Sequence, residues 1–550
     1  MLIERAPTPY DDQIYGPDWR AWRDPDIPEL IDPIDALIGK HLGTSTADKT
    51  AIIADGQAVT YRELASRIEH ACGALAGLGL APETRMLMFG TDSLDYVTVW
   101  LGAVRAGAVP VVVSDLYKPR ELLYFINDTG ARVLFIDAEQ LPKLTEVATE
   151  LPASLKTIVV RGETGELPRL PRQSVMTLAA ALAAGAPAGE PYRRHSNELA
   201  YMFYSGGTTG TAKGITHLAY DFLVVPARHG AMWEYAARDV VYATSRKYFT
   251  HGIWPGLLIP LAFGATLVLE RRGPAAEVVL ENLHSHGVTK FVTVPTVLKN
   301  LIELVKRSGN PANCPHLEFA VSASEKMPPE IFEEFHRLFG VELHDSIGSS
   351  EIAYEWIVNT PKVFKRGSLG KPVYGCEVRL IAPDGNDVTQ PNTPGECWIK
   401  SKTACFYYWR KYEKSRETFI GDWTRTGDNL TFDEDGFFWF SGRNNDLFKV
   451  KGLWVSPIEI EAALTAHDAV REAAVVGYDD ADGLTKPRAF IALRDGFGRT
   501  PALIEELRKA VVPLGSYKIP ADFVVIDALP RTTLQKIDRR ALRQRENSRS

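Results

Sequence analysis

Cysteine is scarce in this sequence and follows no pairing pattern. The 550-residue chain has five cysteines, namely Cys72, Cys314, Cys376, Cys397 and Cys405, and no two of them form a Cys-x-x-Cys pair. An odd, scattered set argues against a disulfide framework and against a structural zinc site. We therefore predict a protein of a reducing compartment, the cytoplasm.

The sequence also lacks a basic excess and an uninterrupted apolar span. Its 62 Lys and Arg against 69 Asp and Glu leave a net charge of −7, so no global positive field attracts nucleic acid. The first residues, MLIERAPTPYDD, contain no apolar signal core. Pro255 and Pro260 interrupt the long uncharged run 252–269, which is expected to form packed turns and a strand. Neither a nucleic-acid partner nor a membrane partner is expected.

Alternating helical and strand patterns fill the first three quarters of the chain. Thr60 and Glu63 form a capping box before apolar residues that recur at helical spacing over 60–79. Short β-branched runs follow such helices, and continuous apolar runs of this length are typical of parallel strands buried on both faces. These runs lie at 109–113, 133–136, 157–160, 266–269, 291–294 and 319–322. The fold class expected is α/β, with a large N-terminal domain of helix-covered sheets.

The pattern changes after residue 370, where shorter strands and Gly-containing turns predict a β subdomain. Residues 161–190 are rich in Pro, Gly and Ala and are expected to form a surface connection. Further on, Ser456, Pro457 and Glu459 have the spacing of a capping box at a helix start. We predict an N-terminal domain over 1–444 and a small, mobile α+β C-terminal domain over 445–550.

The segment YSGGTTGTAKG, residues 204–214, has the composition of a phosphate-binding loop. It follows an apolar run at 199–203 that is expected to be a strand. Glycines let the backbone approach an anion, Ser205 adds a hydroxyl donor and Lys213 adds a positive charge. The spacing differs from that of P-loop NTPases. A flexible turn is the alternative interpretation.

Three further segments carry candidate chemistry. HDSIGSSE, 344–351, follows a predicted strand at 341–343 and ends in Glu351, which could hold Mg²⁺ or open a helix. Asp428 and Arg443 flank an aromatic-rich hairpin, where they could bind a ribose or be ordinary turn residues. A Pro/Thr turn presents Lys536, whose alternative interpretation is a solvated basic tail.

In this order the four segments resemble the superfamily of adenylate-forming enzymes, which includes acyl-CoA synthetases, peptide-synthetase adenylation domains and beetle luciferase. The family's phosphate loop reads about [YF]-S-S-G-[ST]-T-G-x-P-K-G, with Gly206 and Ala212 as departures here. The chain also matches [YWI]-G-x-[ST]-E, T-G-D, G-R-x-D-D and P-x-T-x-x-G-K, at 347–351, 426–428, 442–446 and 530–536, although Asn445 and Gln535 depart from the last two. Within the superfamily, YFTHGIW, SIGSSE and VKGLWVSPIEIE are most similar to the benzoate–CoA ligase group.

The resemblance implies an ATP-dependent carboxylic acid–CoA ligase that makes an acyl-adenylate and then a thioester. It implies three catalytic residues: Lys536 bridging the carboxylate and the α-phosphate, Ser350 on the α-phosphate, and Glu351 holding Mg²⁺. Asn445 is the implied hinge of the mobile domain. The implied ATP-binding residues are Ser205, Gly207, Thr208, Thr209, Lys213, Ser324, Glu325, Lys326, Asp345, Ser346, Ile347, Gly348, Ser349, Asp428 and Arg443.

The acyl pocket implied by the resemblance is lined by Phe249, His251, Trp254, Ile347 and Tyr354. Bulky rings predict a short, closed pocket for benzoate or a substituted benzoate, with an alicyclic acid as the alternative. His251 and Tyr354 could bind a ring hydroxyl or amino group, or they could simply be core residues.

The expected partners are the acid, ATP and CoA, and a homodimer is the assembly considered. A kinase, an enzyme loading a carrier protein and a non-catalytic binding protein of the same fold remain alternatives. ADP as the product would identify a kinase. Activity with free CoA as the sole thiol acceptor would distinguish an acid–CoA ligase from an enzyme that loads a carrier protein.

Overall fold

The computed structural model describes residues 26–185, 189–205, 212–309, 311–324, 327–444, 446–450, 453–480, 484–532 and 536–547. The chain divides into two compact units. Unit one holds the described residues up to 377 together with 399–424, and unit two holds 378–398 and the described residues from 425 onward. The division expected after residue 444 remains a prediction.

Unit one contains an eight-stranded sheet, parallel over most of its width. Its strands, in spatial order, are Tyr408–Trp409, Lys213–Leu218, Leu199–Ser205, Val109–Val112, Arg85–Phe89, Val133–Asp137, Thr157–Arg161 and Ser174–Thr177. The pairs at the first edge are antiparallel. Because helices cover such sheets, the apolar runs at 109–113, 133–136 and 157–160 are buried strands, as predicted.

A nine-stranded sheet forms the second layer of unit one. Its strands, in spatial order, are Lys371–Pro372, Glu355–Val358, Leu343–Gly348, Phe319–Ser322, Lys290–Thr293, Val240–Ala243, Thr266–Leu269, Thr50–Ala54 and Gln57–Thr60. The middle strands are parallel and the outer pairs antiparallel. A two-stranded pair, Leu30–Ile31 with Arg194–His195, lies apart from both sheets. The α/β fold class is therefore confirmed.

The helix of unit one expected over 60–79 forms as Tyr61–Gly77. Thr60 accepts the Glu63 N–H while its own N–H donates to the Glu63 carboxylate, so the predicted capping box is confirmed. The α-helices are Pro33–Leu37, Tyr61–Gly77, Leu94–Arg105, Pro119–Thr129, Leu141–Glu146, Leu178–Ala184, Asp221–Val225, Thr250–Ile253, Ile259–Ala262, Ala276–Ser285, Pro295–Ser308, Pro329–Phe339 and Tyr412–Thr418. Pro226–Gly230 and Trp254–Leu258 are π-helical.

Two expectations about unit one are wrong. The run 252–269 is helical up to residue 262 where turns were expected, with Pro255 inside and Pro260 just after the π-helical stretch Trp254–Leu258, although the expected strand forms at Thr266–Leu269. The connection at 161–190 contains the edge strand Ser174–Thr177 and the helix Leu178–Ala184. In the described part of the chain, no helix combines the length and apolarity that a bilayer crossing requires.

Unit two combines β-hairpins with a small α+β body. A five-stranded sheet is formed by Cys376–Ile381, Gly395–Ser401, Phe419–Ile420, Trp423–Phe432 and Phe438–Arg443. Phe448–Val450 pairs with Leu453–Val455, and a further sheet joins Val470–Asp479, Thr485–Leu493 and Asp522–Val525. The helices are Pro457–Thr465, Pro501–Val511 and Arg539–Asn547. The strands after residue 370 and the helix near 456 are confirmed.

The capping box expected at Ser456 is wrong. The Ser456 hydroxyl donates to the carbonyl of Ser441 at 2.6 Å and caps no helical N–H. Glu459 pairs instead with Lys518. A hydrogen bond to the preceding hairpin thus replaces the local cap, a contact that residue spacing does not reveal.

His344, in the strand Leu343–Gly348, makes unit one sensitive to acid. Burial lowers the pKa of its imidazole to about 4, and its ring stacks on Phe319 with 4.8 Å between centroids. The unfolded chain takes up this proton below about pH 6.5, so this contribution to stability is lost as pH falls from 6.5 to 4. We expect H344F to remove about 2–3 kcal/mol of the stability lost between pH 7 and pH 4.5. Urea unfolding at both pH values measures this, and an unchanged pH dependence would contradict it.

Candidate active site

Three side chains from distant parts of unit one meet in what we name the Glu351 cluster, formed by Lys213, Glu351 and Tyr408. The Tyr408 hydroxyl donates to Glu351 Oε1 at 2.8 Å. Lys213 Nζ donates to Tyr408 Oη at 3.3 Å and lies 3.9 Å from Glu351 Oε1. Burial, reinforced by the Glu351 charge, raises the pKa of Tyr408, so its hydroxyl keeps its proton. The cluster therefore holds a cation and a carboxylate side by side, each about one-fifth exposed.

Strand pairing brings Tyr408 into this cluster. In this antiparallel pair, Tyr408 lies opposite Ile215 and Trp409 lies opposite Gly214. Tyr408 is therefore paired with a residue close to Lys213 on the neighbouring strand. The Tyr408 N–H donates to Ser415 Oγ at 2.9 Å, which fixes the short strand from its other side. Sequence reasoning missed Tyr408, because nothing in FYYW distinguishes it from its aromatic neighbours.

The turn Ser350–Ile352, which carries Glu351, is fixed at three successive carbonyls. His217 Nε2 donates to the first at 2.6 Å, the Cys405 N–H to the second at 2.7 Å and the Thr403 hydroxyl to the third at 2.9 Å. Ala353, which follows, has φ +68°, a conformation that L-residues adopt rarely. The three hydrogen bonds stabilise this strained backbone conformation and fix the position of the turn that carries Glu351.

His217 is itself held by a buried acid, a second feature that sequence reasoning missed. Its Nδ1 lies 2.9 Å from Asp221 Oδ2, which also accepts from the Tyr201 hydroxyl at 2.8 Å. The Tyr201 ring stacks on the imidazole at 4.9 Å. Burial raises the pKa of Asp221. Since a carbonyl can only accept, Nε2 carries a proton, and His217 is oriented as a donor toward the Glu351 turn.

The segment predicted to line the adenine is a strand, not a loop after a strand. The strand is Leu343–Gly348, so the strand expected at 341–343 is wrong in position. Burial raises the pKa of Asp345 well above its usual value, and its Oδ1 accepts the Ser346 N–H at 3.0 Å. A Cβ on Gly348 would lie 2.6 Å from Glu355 Cα, so only glycine fits there. Ile347, Ser349 and Ser350 are half-buried.

The phosphate and adenine loops contain residues outside the described part of the chain, namely Gly207, Thr208, Thr209, Glu325 and Lys326, and the same holds for Asn445. Next to them, Ser205 Oγ is buried and accepts or donates no hydrogen bond among the described residues. Ser324 is exposed with φ +76°, at a position where the family usually has glycine. A buried hydroxyl without a partner suits a ligand oxygen.

Asp428 and Arg443 come together in unit two. They are opposite residues of the hairpin Trp423–Phe432 and Phe438–Arg443, and Arg443 Nε lies 3.1 Å from Asp428 Oδ1. The Asp428 side chain is buried whereas that of Arg443 is exposed. Gly427, within the strand, has φ +74°, a conformation that glycine adopts readily. The hairpin pairing thus holds the Asp428 carboxylate and the Arg443 guanidinium together.

Lys536 lies in a closed turn of unit two. Its N–H donates to Thr532 Oγ1 at 3.3 Å, and its carbonyl accepts the Thr532 N–H at 2.8 Å. Arg531 and Ile537 bridge across the base of the turn. The Lys536 side chain is exposed. The backbone contacts of Lys536 thus do not involve its side chain.

Four of the five residues proposed for the acyl pocket make ring contacts that differ from one residue to the next. His251 and Tyr354 are buried neighbours, with 6.1 Å between ring centroids. Phe249 is half-buried and packs on Tyr248 at 4.7 Å. Trp254 is fully buried and packs on Phe222 and Tyr201 instead, at 6.0 and 5.9 Å.

Known proteins share this chain's architecture. The family model described as AMP-binding enzyme matches residues 40–409, and the one described as AMP-binding enzyme C-terminal domain matches 459–536. The benzoate–CoA ligase of Thauera aromatica is 36% identical over 533 residues, covering 94% of this chain and 96% of that protein. The 4-hydroxybenzoate–CoA/benzoate–CoA ligase of Rhodopseudomonas palustris is 34% identical over 510 residues, covering 92% and 93%.

A solved structure gives the same result. An anthranilate CoA ligase in complex with anthranoyl-AMP superposes with a TM-score of 0.86 at 32% identity, covering 94% of this chain and 98% of that one. The chain therefore belongs to the AMP-binding family of adenylate-forming enzymes, in its benzoate–CoA ligase group, and is an AMP-forming acid–CoA ligase.

Proposed function

We propose that this protein activates a benzoate-type acid with ATP and transfers the acyl group to CoA. The observation that carries the proposal is the Glu351 cluster, which holds Lys213 and Glu351 3.9 Å apart at the end of the phosphate-loop strand. Relatives that act on benzoate and hydroxybenzoate support the substrate class. The buried rings of His251 and Tyr354 support a compact pocket. The five free, buried cysteines are consistent with a cytoplasmic enzyme.

Each sequence motif would bind a different part of ATP. Ser205 and Lys213, with Gly207, Thr208 and Thr209, would hold the β- and γ-phosphates. The adenine would lie against 324–326 and 345–349, where the buried Asp345 carboxyl is an acceptor for an amino group. Asp428 and Arg443 would take the ribose hydroxyls.

Glu351 would hold Mg²⁺, an ion that typically takes one or two protein carboxylates together with phosphate oxygens and water. Its carboxylate fits this role, since it is partly exposed and fixed by the Tyr408 hydroxyl. In the described residues no cluster of three or more acidic, His or Cys side chains forms a complete metal cage. Bound there, the ion would offset phosphate charge.

The chemistry requires no nucleophilic side chain. The carboxylate oxygen of the acid attacks the α-phosphorus, the bond to pyrophosphate breaks, and an acyl-adenylate remains. The CoA thiolate then attacks the acyl carbon and AMP leaves. Because the first step joins two anions, fixed cations such as Lys536 and donors such as Ser350 lower its barrier. Between the two steps, rotation of residues 445–550 about Asn445 would withdraw Lys536 from the reacting atoms and admit the CoA thiol.

The acid is tested by comparing kcat/KM across a panel. We expect benzoate-type acids to exceed hexanoate about 10–200-fold, since short linear chains fill a ring-shaped pocket poorly. Palmitate should be poorer than every ring acid. Cyclohexanecarboxylate as the best substrate would favour the alicyclic alternative, and palmitate as the best would overturn the pocket assignment.

A further inference from the structure

Three chain segments build the Glu351 cluster: the strand Lys213–Leu218, the strand Tyr408–Trp409 and the turn Ser350–Ile352. The two strands are an antiparallel pair at the sheet edge. The turn is bound to the loop before the second strand by two of the three hydrogen bonds to its carbonyls. The position of Glu351 relative to Lys213 then depends on the contact between the turn and the first strand.

His217 makes this contact. It lies four positions after Lys213 on the same strand, and its Nε2 donates to the Ser350 carbonyl at 2.6 Å. Residues four apart in a strand project to the same face, so both side chains face the turn. Lys213 Nζ lies 3.9 Å from Glu351 Oε1. The hydrogen bond of His217 therefore acts on the separation of strand and turn that brings the Lys213 ammonium to the Glu351 carboxylate.

The imidazole of His217 is held in a single orientation. Its side chain and that of Asp221 are each 1% exposed, and Nδ1 lies 2.9 Å from Asp221 Oδ2. The Tyr201 ring stacks on one face, with an interplanar angle of 9°. A proton lies between Nδ1 and the carboxyl oxygen, whether the ring or the acid carries it, and the carbonyl at Nε2 can only accept. The link to the turn is therefore a fixed donor and not an adjustable side chain.

We propose that His217 is a positioning residue for Mg²⁺ binding, because it holds Glu351 at a fixed distance from Lys213. The inference rests on the proposed function, which places Mg²⁺ on Glu351, and adds to it the residue that sets the position of that carboxylate. Mg²⁺ requires nearly ideal octahedral geometry, so a small displacement of a ligand oxygen weakens its binding. His217 acts through the backbone of the turn, since both of its nitrogens face protein groups.

Two substitutions separate the two nitrogens of His217. H217N keeps an amide near the position of Nδ1, beside Asp221, and is too short to reach the Ser350 carbonyl, whereas H217Q places an N–H donor near the position of Nε2. We expect H217N to raise the dissociation constant of Mg²⁺ from the complex of the enzyme with β,γ-methylene-ATP about 3–10-fold, and H217Q to change it less than about twofold. Calorimetric titration measures this constant without turnover.

The same titration in an E351Q background shows whether His217 acts through Glu351. E351Q alone should weaken Mg²⁺ binding, and H217N should then add less than about twofold, because the carboxylate that it displaces is already gone. H229F is the matched control, since His229 is a second buried imidazole and donates to the Glu355 carbonyl at 2.9 Å. It should lower the urea midpoint of unfolding and leave the Mg²⁺ affinity unchanged in both backgrounds.

Two results would overturn the inference. One is wild-type Mg²⁺ affinity in H217N, or in H217F if H217N fails to fold, since H217F keeps the ring and its stacking without the donor. The other is an H217N effect of the same size with and without Glu351, which a merely structural residue would give. Failure of the proposed function is distinguishable, because E351Q alone would then bind Mg²⁺ as the wild type does, and the inference would fall with it.

Discussion

Replacing Lys536 by alanine is expected to slow acyl-adenylate formation about 10²–10³-fold, which corresponds to about 3–4 kcal/mol of lost transition-state stabilisation. The backbone of its turn is closed by the two hydrogen bonds with Thr532, neither of which uses the Lys536 side chain. The substitution therefore removes the ammonium and leaves the turn in place. Acid-dependent exchange of labelled pyrophosphate into ATP measures the affected step.

Thioester formation from synthetic acyl-adenylate and CoA should retain most of its rate in K536A, because the proposed cycle withdraws Lys536 before that step. R540A is the control, since Arg540 is an exposed cation of the following helix, and both of its rates should match wild type. Equal losses in the two half-reactions of K536A would contradict the assignment of Lys536 to adenylation alone.

Replacing Glu351 by glutamine is expected to slow adenylation about 100-fold. The amide can still accept from the Tyr408 hydroxyl, so the geometry of the Glu351 cluster should persist while its negative charge is lost. The Mg²⁺ concentration for half-maximal activity should rise, since a neutral oxygen holds a hard cation less well. Titration of adenylation against Mg²⁺ measures both effects.

Y408F is the control for this variant, because it removes the hydrogen bond to Glu351 and leaves the charge. Its expected loss is about tenfold, the scale of one hydrogen bond to a charged group. A rate for E351Q within a few-fold of wild type, with unchanged Mg²⁺ dependence, would show that Glu351 is not the metal-binding carboxylate.

Local signals predicted the sheets well. Apolar runs buried on both faces and the Thr60 capping box carry their information within a few neighbouring residues, and the strands and helix formed where expected. The capping box at Ser456 failed, because a hydroxyl can be taken by a distant carbonyl such as that of Ser441. The turns expected before the strand Thr266–Leu269 are helical instead, because a π-helical stretch accommodates proline inside a helix.

The candidate site was predictable only where one segment carries the motif. Asp428 and Arg443 were expected on one hairpin and lie opposite each other there. Tyr408 and His217 were missed, since they reach Glu351 through sheet pairing and a contact across 133 residues of sequence.

The proposed two-step ligation is tested most directly by following products with one ring acid, ATP and Mg²⁺, first without and then with CoA. Without CoA, we predict acid-dependent exchange of labelled pyrophosphate into ATP and no ADP. With CoA, we predict one AMP and one aroyl-CoA formed for each acid consumed. ADP as the nucleotide product, or AMP release that does not depend on any ring acid, would contradict the account.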